Sequence, residues 1–511
     1  MLKMRTYTLA VVFAAGLLTA CQQQPAPIQV TAPPAKPTTA PGASPAAAGS
    51  PAAAPAASPA AAPSPVAAAS PKPAASPAAS PGPAAAAAAS PAASPVARAG
   101  APAKAQYQMD AQHTGRSSYA GPTDPVQLRT FDTLNPGVPT DQPGDPRPDI
   151  QSSASVGADG TIYLGNFRGN LEALRDPGSG QSLQLLWRFH VPGASSFHAT
   201  PALGSNGEVY IGMSTGGATP DAKGTFYALK APASGTDAQV LWQVDLGPGR
   251  YTASPTLGSD GNLYVLSGAG TLFALGQDGS MKWTAKTGPV VKAAPALGPD
   301  GTVYVSSMDD HLYAVSPPSG GGNTGSVKWT FTFGEHPGSG PPVTDPNATF
   351  PGANGVGSGD TPSVGPDGTV YVGANNSNFY AIGPDGQMRW MFEAQREVAG
   401  IWSAGALSSD GKTVYFGANK GGIYAVNTQD GSLRWQYDIV GSVYNSPTLD
   451  SQGRLYTGST VGHVFAIDAD KGTRVFDYTA GAPVWTAPAI RADGSLAIGT
   501  LQGQVQVIGN R

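Results

Sequence analysis

ALSSDGKTVYFGANKGGIYAVNTQDGSLRWQYD, from Ala406 to Asp438, holds the pattern that decides the fold. Asp410-Gly411 supplies the positive φ that a tight hairpin needs, and an apolar strand ending near Tyr415 follows it. Ile423-Tyr424-Ala425-Val426 is a second short apolar strand with a small residue inside it. After a further turn at Asp430-Gly431 comes a strand carrying Trp435. The first turn has eight versions along the chain: Asp159-Gly160, Asn206-Gly207, Asp260-Gly261, Asp300-Gly301, Asp367-Gly368, Asp410-Gly411, Gln452-Gly453 and Asp493-Gly494. Tyr163, Tyr210, Tyr264, Tyr304, Tyr371, Tyr415 and Tyr456 follow the first seven turns, with Ala497 in the eighth place. Their shortest intervals lie near 41 residues, so the unit is about 41 residues with insertions. Four short strands in such a unit predict a propeller blade. A helical repeat of that length would show 3.6-residue periodicity and fewer glycines.

The strand before each turn is rich in small residues, as in His198-Ala199-Thr200-Pro201, Tyr444-Asn445-Ser446-Pro447 and Trp485-Thr486-Ala487-Pro488. Eight strands converging on one axis crowd each other, so these are the innermost strands. Trp187, Trp242, Trp283, Trp329, Trp390 and Trp435 belong to the outermost strands, where diverging blades leave room for large rings. The last unit stops after Gln504-Val505-Gln506-Val507-Ile508, with no tryptophan strand. Gln127-Leu128-Arg129-Thr130-Phe131-Asp132 has the outermost pattern and is expected to complete that unit from the N-terminal side. Such closure removes free sheet edges. The expected fold is thus all-β, an eight-bladed β-propeller over 105–511.

Composition separates what precedes it. Residues 25–104 are Ala, Pro and Ser with few other types, hold four basic residues and no acidic one, and cannot bury enough surface to offset ordering. The segment 22–104 is expected to be a disordered tether, reaching on the order of 200 Å if extended as polyproline II. Residues 1–21 read as an export signal: Lys3 and Arg5, an apolar core, then Leu18-Thr19-Ala20-Cys21. Cys21 is the single cysteine, which excludes a disulfide framework and any zinc site built on two cysteines. Residues 105–511 hold 23 Lys and Arg against 33 Asp and Glu, a poor balance for nucleic acid.

Two resemblances follow from these residues. Leu18-Thr19-Ala20-Cys21 resembles a bacterial lipoprotein signal, which implies a lipidated Cys21, and Gln22 after it implies the outer membrane. Ala425-Val426-Asn427-Thr428-Gln429-Asp430-Gly431-Ser432-Leu433-Arg434-Trp435 resembles the PQQ-like β-propeller repeats, and Asp110–Ser117 is similar to the opening of many such proteins. Eight such blades on a lipoprotein resemble the BamB-type lipoproteins of outer-membrane-protein assembly; the long Ala/Pro tether and the insertions depart from that pattern. That family likeness implies a scaffold facing the periplasm. The repeats also occur in dehydrogenases that use PQQ, usually with Ca2+.

The residues favour a non-enzyme. The adjacent cysteines that alcohol-oxidising relatives carry are missing, and candidate calcium ligands Asp309, Asp310 and Asp360 are scattered among blades. No histidine pair has metal-ligand spacing, and no nucleophile elbow or phosphate loop is present. No cofactor and no metal are therefore expected. Long irregular pieces, Leu134–Asp149, Met213–Gly224 and Glu335–Gly359, are assigned to one face, a usual place for binding. Three places before the proline of each innermost strand stand Gln151, His198, Thr252, Lys292, Gly359, Trp402, Tyr444 and Trp485. His198, Lys292, Trp402, Tyr444 and Trp485 make the candidate binding mouth, since aromatic and cationic anchors contribute most at such places. The expected function is that of a monomeric, membrane-anchored scaffold for envelope proteins, with carbohydrate binding and PQQ-dependent dehydrogenation as alternatives.

Overall fold

The computed structural model describes residues 105–133 and 150–510, apart from 181, 192–193, 197–198, 216–221, 250–252, 291–292, 335–359, 395–399 and 420–421. The signal, the tether and the irregular pieces 134–149 and 335–359 lie outside the described residues. The described strands form eight antiparallel sheets, the expected eight-bladed all-β propeller. Blade 1 spans 155–190, blade 2 202–248, blade 3 256–286, blade 4 296–332, blade 5 363–393, blade 6 406–437 and blade 7 448–479. Blade 8 joins 489–510 to the N-terminal strand Pro125–Asp132.

Each blade follows from the repeat. The turn glycines have φ between +68° and +83°, as the Asp-Gly pattern predicts. The preceding carboxylate closes the turn by accepting the N–H two residues on, as Asp367 does from Thr369 at 3.0 Å. The repeated tyrosine packs on the tryptophan of its own blade, Tyr415 on Trp435 at 5.8 Å and Tyr371 on Trp390 at 5.9 Å. That tryptophan then docks the next blade. Trp390 Nε1 donates to the Thr428 carbonyl at 2.8 Å, and Gly431 lies so close that a Cβ there would stand 2.7 Å from the indole. The glycine of the Asp-Gly-x-x-x-Trp pattern is thus a seat for the neighbouring blade's ring. A one-residue bulge precedes the aromatic residue in the outermost strands of blades 1 to 7 and re-aims the extra side chain. In blades 4 and 5 that residue is Lys328 or Arg389, which reaches back to Asp300 at 3.1 Å or Asp367 at 2.7 Å.

The innermost strands are only two residues long, and their flanks carry a hydrogen-bond pattern that alternates from blade to blade. Blades 1, 3, 5 and 7 begin this strand with Ser155, Thr256, Ser363 and Thr448; blades 2, 4, 6 and 8 begin it with Ala202, Ala296, Ala406 and Ala489. Each odd-blade hydroxyl donates to a carbonyl of the following even blade: Ser155 to Pro201 at 2.6 Å, Thr256 to Pro295 at 2.6 Å, Ser363 to Gly405 at 2.6 Å and Thr448 to Pro488 at 2.9 Å. The other four seams are closed two residues earlier, in the opposite sense. Thr200, Ala294, Ala404 and Ala487 donate backbone N–H groups to the hydroxyls of Ser254, Thr361, Ser446 and Ser153 at 2.8–2.9 Å. Every seam around the axis therefore carries at least one buried side-chain hydrogen bond.

Closure occurs where the sequence places it. Pro125–Asp132 pairs antiparallel with Gln504–Asn510. Asp176 of blade 1 fixes this seam, holding Arg129 at 2.6 Å and Arg491 at 2.9 Å. One expectation is corrected. Met213–Gly224 is not irregular at its ends, because Val209–Thr215 and Lys223–Lys230 continue as a long hairpin, with Met213 fully buried.

Residues 105–122 have a role the repeats do not announce. They cross the tunnel end on the Asp-Gly side and accept N–H groups from six blades in turn. Leu203 donates to Ala105, Leu257 to the Gln106 side chain, Leu297 to Ala111, Val364 to Gln112, Leu407 to Thr114 and Leu449 to Gly115, at 2.7–2.9 Å. Those donors face the axis and would otherwise be buried without partners. This strap seals one end of the tunnel.

Candidate functional site

The other end of the tunnel is a cavity of about 100 Å3. Its wall comes from the small residues of the innermost strands, including Ser153, Thr200, Ser254, Thr361 and Ser446. Their identity follows from crowding at the axis, and most of their hydroxyls already serve the seams described above. The rim is aromatic. Trp402, Tyr444 and Trp485 come from three consecutive blades and form one continuous collar, with ring centres 5.0 Å apart at each step. The Trp402 indole is fixed by donation to Asn375 Oδ1 at 2.6 Å. Such ring pairs contribute about 0.5–1.5 kcal/mol each beyond their buried area. The three rings remain half-buried, so they stand at the mouth rather than inside a core.

The strap supplies the floor. Tyr107 lines the cavity and its hydroxyl bonds Ser446 Oγ at 2.7 Å. Burial, reinforced by the Asp360 charge, pushes the Tyr107 hydroxyl well above the usual range and keeps it neutral. Beneath it, His113 is fully buried and bridges the tunnel, with Nδ1 3.2 Å from the Pro362 carbonyl and Nε2 3.2 Å from Thr256 Oγ1. Burial lowers its pKa to about 4, so the ring is neutral at pH 7.

The sequence-predicted residues divide. Trp402, Tyr444, Trp485 and Gln151 converge at this mouth. His198, Thr252, Lys292 and Gly359 lie outside the described residues. Sequence reasoning missed Tyr107, Asn375, Met308 and the part played by Asp360. Only Asp360 left a signal: it stands two places before Pro362, in a column otherwise filled by small or neutral polar residues.

A quinone cofactor can be tested against this lining. PQQ is a tricarboxylate and asks for cationic partners, while its calcium asks for several oxygen ligands together. The described lining offers one carboxylate and no lysine or arginine, and no group of three or more His, Cys, Asp or Glu that could hold a metal stands among the described residues. These residues do not fit the group.

Comparison with known proteins agrees on the repeats. A family model described as outer membrane protein assembly factor BamB matches residues 222–335 and 321–446. No curated protein matches the sequence. Among solved structures, the chain is similar to quinohemoprotein alcohol dehydrogenase from Comamonas testosteroni, with 12% identity, 81% of this chain and 82% of that chain covered, and a TM-score of 0.58. A second quinohemoprotein alcohol dehydrogenase, ADHIIG from Pseudomonas putida HK5, gives 13% identity, coverage of 79% and 80%, and a TM-score of 0.56. BamB from Moraxella catarrhalis gives 15% identity, coverage of 76% and 98%, and a TM-score of 0.49. At such identities the dehydrogenase structures speak for the fold alone. Residues 222–446 thus match PQQ-like, BamB-type repeats, and the described strands as a whole form an eight-bladed β-propeller.

Proposed function

We propose that this is a non-catalytic docking propeller of the cell envelope, lipidated at Cys21, held off the outer membrane by its Ala/Pro tether, and engaging partner proteins at the Trp402–Tyr444–Trp485 mouth. The observation that carries the reading is the collar itself. Three half-buried rings from separate blades form one continuous apolar rim over a tunnel whose far end is sealed. Clustered aromatic anchors around a pocket are what protein contacts use. Val440 and Val461, 72% and 51% exposed, flank Gly441 near Tyr444 and extend the apolar surface beyond the rim. A sealed tunnel whose described lining holds one carboxylate also disfavours the dehydrogenase reading. The BamB-like repeats suit an assembly scaffold in the envelope.

The test is Trp402→Ala with Trp485→Ala in the full chain, reading co-purified envelope proteins and the urea midpoint. The expected result is lost capture with a midpoint near that of the parent. Retained capture overturns the docking site. In the same cells Cys21→Ser is expected to move the protein from membranes to the soluble envelope fraction. A variant that stays with salt-washed membranes would overturn the lipid anchor.

A further inference from the structure

We infer that the mouth is built for a lysine side chain of the partner polypeptide, its alkylammonium passing the aromatic collar into the blind cavity. The inference rests on the docking reading above and adds the chemistry of the inserted group. Three features of the site converge on it.

The first is the collar. The faces of Trp402, Tyr444 and Trp485 are electron-rich, and such faces attract a cation that approaches them. Neutral apolar side chains also fit such a rim, so the collar alone does not choose.

The second is the sign of the cavity. Asp360 is 95% buried and lines the wall, and its charge is felt at the floor by Tyr107. Asp360 has interactions of its own, so its role is to set the local potential, with no empty contact required of it. No lysine or arginine stands among the described lining residues. The folded part as a whole has 23 basic against 33 acidic residues, so the wider field also favours a basic partner.

The third is shape. The strap closes the tunnel below Tyr107, so a polymer cannot thread through, and the site accepts an end or one protruding group. About 100 Å3 suits one unbranched side chain better than a sugar ring or a fused cofactor. An ammonium sends three donors in different directions, whereas a guanidinium needs a flat fork of paired acceptors. The wall offers separated oxygens. Ser153 and Ser254 each accept one N–H from a neighbouring blade, and a hydroxyl oxygen keeps a second lone pair.

The experiment is calorimetric titration of the full chain with three probes: acetyl-Gly-Lys-Gly-amide, the same peptide acetylated at the lysine Nζ, and choline. The expected result is saturable binding of the lysine peptide and at least tenfold weaker binding of the acetylated one. Choline is expected to bind more weakly than the lysine peptide. Asp360→Asn should weaken the lysine peptide at least fivefold. Because Asp360 is buried and its variant can misfold, Trp485→Leu serves as a second variant, and the comparison of probes on the parent chain needs neither. Equal binding of lysine and acetyl-lysine peptides overturns the inference. Choline binding more tightly than the peptide also overturns it, by assigning the cavity to a small free cation. If envelope-protein capture depends on Trp402 and Trp485 while acetylation makes no difference, the docking site stands and the lysine inference alone fails.

Discussion

His113 shows how one side chain can tie the strap to the ring and mark the pH at which that tie weakens. Its two ring nitrogens approach groups of blades 3 and 5, and the cost of burying a charge outweighs what the Pro362 carbonyl offers a protonated ring. The folded pKa of about 4 lies below the ordinary value of 6.5. Between those values the unfolded chain binds the proton and the folded chain does not, so stability falls as pH falls through that window. The shift corresponds to on the order of 3 kcal/mol lost between about pH 6.5 and pH 4. Other groups act elsewhere. Hydrogen bonds from Ser432 hold Asp430 below the ordinary carboxylate range, and Asp300 and Asp367 are held low by their Thr and cationic partners against the cost of burial; these lose stability only below about pH 4. Asp110, raised by burial, works in the opposite sense. His113→Gln keeps all of these and removes one titration. Urea midpoints measured at pH 7.5 and 5 should fall clearly for the parent and less for the variant. Parallel falls in the two proteins would mean that His113 does not set the slope.

At the scale of elements, the strand Pro125–Asp132 matters more than its length suggests. Without it Gln504–Asn510 becomes a bare edge, Leu128 and Phe131 leave their cluster, and Asp176 loses Arg129. A bare edge invites pairing with another chain. Deleting 106–132 removes the strap as well, so it is expected to lower melting strongly and to promote association seen by size-exclusion chromatography. Deleting 25–100 should leave melting unchanged. An unchanged melting temperature after the 106–132 deletion would contradict both assignments. The two elements removed by that deletion differ in how far they could be read. The closing strand was legible because Gln127-Leu128-Arg129-Thr130-Phe131-Asp132 follows the outermost pattern of Leu433–Asp438. The strap was not, because its purpose exists only in the assembled ring: it answers N–H donors brought to the axis by six distant strands. The same reason hides part of the site. Trp402 and Trp485 stood out as tryptophans that break the repeat, whereas Tyr107 lies outside the repeat and Asn375 sits in a hairpin whose residue type varies from blade to blade.

For the whole molecule, alternation at the axis explains why the ring holds together and why its blade number is even. Odd blades carry two hydroxyls flanking the innermost strand, one that accepts from the preceding blade and one that donates to the following blade. Even blades carry mainly alanine there and contribute backbone groups to these eight bonds. The working unit at the axis is therefore a pair of blades, although the 41-residue repeat suggests a single one. An odd count would bring two like blades together, leaving a seam with no hydroxyl or with two competing ones. The alternation makes a quantitative claim about single seams. Thr448→Val keeps the shape of a residue that is 1% exposed and removes the donor to the Pro488 carbonyl between blades 7 and 8. An acceptor left buried and unpaired costs about 1–3 kcal/mol, so the urea midpoint should fall by that equivalent with the slope unchanged. Ser363→Ala does the same at the seam between blades 5 and 6, where the Gly405 carbonyl loses its partner. The two seams share no group, so the double variant should lose the sum of the single losses to within about 0.5 kcal/mol. A parent-like midpoint for both single variants would show that the hydroxyls decorate the axis without holding it. A double variant far worse than the sum would show instead that the seams act as one cooperative belt, and that the axis fails as a ring once any pair of blades is loosened.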